Sequence, residues 1–159
     1  MTPEDVYWAY GRHLTTVAEQ SGELFEYLRA RATRPRLRGL LRDSCLAIYE
    51  FQRDFAPERA PADATALRTF APPHVLDTLA LEARLTLAGV ERSRDVVICT
   101  YAYQATHHAL GVLKIYQSLC YGLELDREER EAQRVIATVT SSLTHIERAL
   151  DSLVGGGAF

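Results

Sequence analysis

A chain of 159 residues, 47% apolar and 25% charged, has the size of a single domain and enough apolar residues for a substantial core. Its net charge of -3 gives no general pull toward nucleic acid or an anionic membrane. No stretch approaches the roughly 20 apolar residues of a membrane span, and no basic start followed by an apolar run marks the first residues, so a cytoplasmic protein is expected.

Thr2-Pro3-Glu4-Asp5 predicts a helix start, with a hydroxyl at the N-cap, proline at the first helical position and acids in the first turn. This first helix should run to about Ala32, its stripe of Val6, Tyr10, Leu14, Val17, Ser21, Leu24 and Leu28 stepping by threes and fours. Thr33-Arg34-Pro35 breaks the chain and restarts it, because proline pushes its predecessor out of the helical region. A second helix follows from Pro35 to about Phe55, with Leu37, Leu41, Ser44, Ile48, Phe51 and Phe55 on one face.

Residues 56–71 read as a loop with one short turn near 64–68. Pro72-Pro73 then starts a small helix to about Ala88, with Leu76, Leu79, Ala83, Leu87 and Val90 in helical register and Gly89 as its stop. Ser93 is the expected cap of a long helix that reaches Tyr121 and ends at Gly122. Its expected stripe is Tyr101, Ala105, His108, Val112, Ile115 and Leu119. Asp126-Arg127-Glu128-Glu129 has the spacing of a capping box for the last helix, which carries Val135, Val139, Ser142, Ile146, Ala149 and Leu153 and should stop at Val154. One domain over 1–154 and a flexible Gly-rich tail over 155–159 follow. Nothing alternates with period two between turns, so no sheet is expected.

The short connections make the first two long helices one antiparallel hairpin and the last two another. The long stretch between the hairpins can traverse the molecule and leave the second and third long helices parallel. Cys45, Cys99 and Cys120 lie in apolar helical patterns without metal-site spacing, and are expected as reduced core thiols. Arginine outnumbers lysine seventeen to one, which reads as base-composition bias.

The junction Ala32-Thr33-Arg34-Pro35-Arg36-Leu37, and the run Arg94-Asp95-Val96-Val97 through Tyr101, Gln104, His107, Tyr116 and Leu123 to Asp126, resemble the YciE/YciF-like branch of the ferritin-like superfamily. The resemblance implies an all-α, ferritin-like four-helix bundle whose long crossover carries an additional short helix, dimerisation, and a bacterial stress-related role. It also implies where metal would sit, since such sites draw glutamates from two helices and Glu-x-x-His pairs from two others. This chain departs from that pattern. Glu50 is followed at the third position by Arg53, Thr106 and Ala109 flank His107 where acids are expected, and Ser142 and Leu143 stand where the last helix should be acidic. Two divalent ions need several carboxylates for charge compensation in a dry core, so a degenerate, metal-free centre is the expectation.

If a divalent ion (Fe, Mn or Zn) binds at all, the donors left to it are His107, His108 and His145 with Glu19 and Glu147. His107 and His108 project about 100° apart on a helix. The expected arrangement is therefore one core histidine, His108, bonded to a neighbouring tyrosine or serine, and one surface histidine, His107. Tyr7, Trp8 and Tyr10 crowd the first turns of the first helix and suggest a homodimer surface. Arg29, Arg31, Arg34, Arg36, Arg38 and Arg42 cluster at the first hairpin turn, and Asp126, Glu128, Glu129 and Glu131 at the second. In the crossover topology those turns lie at opposite ends, which permits head-to-tail contacts. No aromatic interleaving supports nucleic-acid binding. No Ser/His/Asp order or phosphate loop is present, so an enzyme would rest on the histidines alone. Three readings follow: a metal-free bundle acting as a structural or interaction protein, a metal-binding or oxidoreductase bundle on an altered His/Glu site, and a bundle holding a small apolar ligand against Ala47, Ala105, Ala109 and Ser142.

Overall fold

The computed structural model describes residues 2–54 and 78–156. Five α-helices account for nearly all of them: α1 (Pro3–Arg31), α2 (Pro35–Asp54), α3 (Thr78–Leu87), α4 (Glu91–Gly122) and α5 (Asp126–Gly155). No strand occurs among the described residues. The loop expected over 56–71, the Pro72-Pro73 helix start, and the side chains of Ile48, Phe51, Phe55, Leu76 and Leu79 fall outside what is described.

Side-chain contacts set the directions of the helices. Tyr7, near the start of α1, stacks on Tyr116, near the end of α4. At the other end, Thr33, just past α1, donates its backbone N–H (2.9 Å) and its hydroxyl (2.6 Å) to the carboxylate of Asp95 in the first turns of α4. The two helices are therefore antiparallel. Arg92 donates to the carbonyls of Leu153 (2.7 Å) and Val154 (3.0 Å), which lays the end of α5 beside the start of α4. The thiol of Cys45 on α2 points at the Gly22 carbonyl of α1, 3.7 Å away. Thus α1 packs on α2 and α4, α5 packs on α4 and α2, and α2 runs parallel to α4. The small α3 lies on α4 and is tied to α1, where Glu82 accepts from the Tyr27 hydroxyl and from Arg31 Nε (2.9 Å).

The expected α1 cap is present. Asp5 N–H donates to Thr2 Oγ1 (3.2 Å) and Thr2 N–H to Asp5 Oδ2 (2.7 Å), so two otherwise unpaired amides are satisfied. Two other caps differ from expectation. α4 begins at Glu91 with Val90 at its N-cap, and Ser93 sits inside the first turn, because the positive φ (60°) of Gly89 reverses the chain early enough to start the helix there. α5 has Leu125, not Asp126, at its N-cap, since Glu129 N–H is already bonded to the Leu125 carbonyl. Asp126, Glu128 and Glu129 then occupy the first turn, where the helix dipole favours them. α5 also extends to Gly155, and left-handed Gly156 (φ 80°) closes it.

The core is built mainly of Leu14, Phe25, Leu28, Leu37, Leu41, Ile98, Leu113, Ile146 and Leu153, all buried. The stripes expected for α1 and α5 point inward over most of their length, and the described part of the α2 stripe, Leu37, Leu41 and Ser44, is buried. That of α3 does not: Leu81 and Leu85 are buried, whereas Ala83, Leu87 and Val90 are exposed, Leu87 by 85%. A ten-residue helix resting on one neighbour buries a single narrow edge, and two interleaved apolar sets compete for it. On α4 the burial is wider than one stripe, because α1, α3 and α5 all lie against it. Ile98, Ala102, Thr106, Leu113 and Tyr116 are buried while Ile115 is exposed.

Candidate functional site

The middle of the bundle is lined by small residues. Ser21 and Gly22 of α1, Ser44 and Cys45 of α2, and Ala102, Ala105, Thr106 and Ala109 of α4 are all buried. These residues contribute hydroxyls, a thiol and methyls where a carboxylate-bound metal pair would need acids. Among the described residues the only buried carboxylate is Asp95, and its two oxygens are engaged by Thr33 at the end of the bundle, with Arg34 Nε 3.8 Å away.

The five candidate donors are not gathered. His107, His145 and Glu19 are exposed, and His108 and Glu147 are half-buried on different helices. Among the described residues no group of three or more His, Cys, Asp or Glu side chains is placed to hold an ion. His107 lies against the ring of Tyr103 (centroids 4.4 Å) one turn earlier, which follows from their i, i+4 spacing. Glu50, the nearest acid on α2, is exposed as well.

His108 does not find the tyrosine or serine expected for it. It meets His13 of α1, with ring centroids 6.0 Å apart and planes at 78°. His13 Nδ1 and His108 Nε2 are both shut off from solvent and have no hydrogen-bond partner among the described residues. Burial, and secondarily the facing His108, push the His13 pKa below its ordinary value, so the ring is neutral near neutral pH. Sequence reading missed His13, which lies at the border of the α1 stripe beside Leu14. The signal lay in the antiparallel pairing: once Tyr7 is matched with Tyr116, two turns further along α1 comes opposite two turns back along α4.

The aromatic start of α1 faces its own chain. Tyr7 stacks on Tyr116 (5.3 Å) and shares a hydroxyl contact with it (3.0 Å), Trp8 meets Tyr7 edge-on, and Tyr10 meets His13. Burial, then the bond that its hydroxyl donates to Tyr7, raise the Tyr116 pKa. The three cysteines are free and buried, as expected, and burial pushes Cys99 up to about 12 and Cys120 up to about 11, leaving both as inert thiols. Most of the basic cluster is internally engaged. Arg29 pairs with Glu26, Arg31 with Glu82 while lying over the Tyr27 ring, Arg34 with Asp95 and Arg42 with Asp43, and Arg38 donates to the Ala32 carbonyl (2.7 Å). It closes the turn between α1 and α2, which leaves little of it as an anion surface.

Comparison of the chain with protein-family models, with curated proteins and with solved structures gives no match. No helix among the described residues is long and apolar enough to cross a membrane.

Proposed function

We propose that this chain is a ferritin-like helical bundle of the YciE/YciF-like kind that lacks the carboxylate-bridged metal pair of that architecture and acts as a structural or interaction protein, as a cytoplasmic homodimer serving a stress response. The observation that carries the reading is the character of the centre. Small and neutral side chains line it, and the one fully buried carboxylate among the described residues is committed to the turn between α1 and α2. Two divalent ions in a dry interior need several anionic ligands, and a Ser/Ala/Cys lining offers none. The pairing of α1 with α2 and α4, and of α5 with α4 and α2, with α2 parallel to α4, supports the ferritin-like topology. Exposed Tyr121 at one end, and Leu87, Val90 and Val154 at the other, supply apolar contacts for a partner surface.

The altered His/Glu site draws less support, since its acids Glu19 and Glu147 and its histidines His107 and His145 do not converge. Sedimentation of the purified chain, together with elemental analysis after anaerobic incubation with ferrous iron, tests the proposal. A dimer without stoichiometric iron is the expected result; a monomer, or a chain loaded with two irons, overturns it.

A further inference from the structure

His13 and His108 come from two antiparallel helices and meet across the seam between them, ring centroids 6.0 Å apart. Each ring has one nitrogen that has lost its hydration and has no hydrogen-bond partner among the described residues. An imidazole nitrogen shut away from water in this way gives up solvation without return. Two of them, one per helix and on rings whose centroids are 6.0 Å apart, are nitrogens that a shared ligand could satisfy. Neutral imidazole is a good ligand for late first-row ions and a poor one for magnesium or calcium. With nitrogen–metal bonds of about 2.0–2.1 Å, two imidazoles on one ion hold their ring centres roughly 5–6.5 Å apart, a span that includes the observed separation.

We propose that His13 and His108 together bind one zinc or copper(II) ion in the seam between α1 and α4, with solvent completing its coordination. Both residues are half-buried rather than fully enclosed, and the ion would bring its own waters to the two nitrogens that are closed to solvent without it. Among the described residues no carboxylate completes a group with the pair, and the neighbouring Arg12 is a cation whose Nε and one terminal nitrogen are also buried without a hydrogen-bond partner there. The site is therefore of modest, exchangeable affinity and does not have the charge compensation for a metal pair. Bound metal would pin the two helices together and stabilise the fold, because the unfolded chain does not hold the two rings at this separation. The inference goes beyond the structural reading above and stands apart from it: two irons per chain would overturn that reading and leave this one untouched.

The test is thermal unfolding of the full chain at pH 7.5 with zinc chloride or copper(II) chloride, with magnesium chloride as control, and equilibrium dialysis of the same samples. At an ion concentration about 100 times Kd, the folded-to-unfolded ratio should rise about a hundredfold, with one ion bound per chain and no response to magnesium. His13→Gln and His108→Gln should each abolish both effects, while His107→Gln and His145→Gln keep them. An absent response, or one that survives His13→Gln or follows His107 or His145, overturns the proposal. Dialysis at room temperature supplies a readout that does not depend on how far a variant's melting temperature has moved.

Discussion

Asp95 is a fully buried carboxylate, and its surroundings explain how the fold tolerates it. Thr33 gives it two hydrogen bonds, and Arg34 stands 3.8 Å from the same group. It receives donors from the residues leading into α2 and so ties that turn to the start of α4. Removing the buried carboxylate leaves the half-buried Thr33 amide and hydroxyl without their acceptor, and a partly desolvated donor left unpaired costs more than the bond itself contributed. Asp95→Ala should therefore destabilise the chain by about 2–4 kcal/mol in urea titration. Asp95→Asn, which keeps one acceptor oxygen, should cost clearly less, and equal losses would contradict the account. The role of Asp95 was not legible in the sequence, because its partners lie sixty residues away and a lone aspartate beside Arg94 resembles a surface acid. His13 escaped notice for the same reason: its partner is on another helix, and a histidine at the edge of a stripe carries no local signal.

At the scale of the element, the ends of the helices carry testable energy. Thr2 and Asp5 close α1 reciprocally, so Thr2→Ala should cost about 1 kcal/mol. The same contact has a pH consequence. Its hydrogen bonds to Thr2 lower the Asp5 pKa in the folded chain below 3.8, so the unfolded chain takes up this proton first as the pH falls. The stabilisation is complete above about pH 5 and is lost as the pH falls through 3.8 and below. In Thr2→Ala this acid dependence should diminish, as measured by comparing melting temperatures at pH 7 and pH 3. Gly156 closes α5 at φ 80°, where a Cβ would stand 3.4 Å from a terminal nitrogen of Arg92. Gly156→Ala should cost about 1 kcal/mol for the left-handed backbone, and more if Arg92 is forced off the Leu153 and Val154 carbonyls. Pro3, Pro35 and Gly89 marked helix limits legibly, since each acts on its own backbone. As caps, Ser93 and Asp126 misled by three residues and one, because a good capping side chain near a helix start does not decide which neighbour's carbonyl accepts the first bond. In the described part of the α3 stripe Ala83, Leu87 and Val90 are exposed, because Leu81 and Leu85 occupy the one edge that the short helix buries.

For the whole molecule, the all-helical class, the two antiparallel hairpins and the parallel relation of α2 and α4 were legible, because two short turns and one long connection leave few arrangements. What lies inside the bundle was only half legible. The missing acids could be counted along the chain, but the burial of Ser21, Gly22, Ser44 and Ala105, and the exposure of His107 and His145 beside half-buried His108, depend on helix rotations that period alone does not set. The opposite placement of the two charged turns came out as expected, yet most arginines at the basic end are already paired within the chain, which weakens the head-to-tail contact that the sequence permits. Sedimentation should accordingly show association that changes little between low and high salt; a steep loss with added salt would favour the end-to-end contact.

The central claim is that the interior has no carboxylate-held metal pair. Its most direct test is the metal content of the chain, measured by elemental analysis after anaerobic incubation with excess ferrous iron and removal of unbound ions. The account predicts iron well below one equivalent per chain, unchanged in a His107→Ala/His108→Ala variant. Two equivalents of iron per chain, lost in that variant, would contradict it.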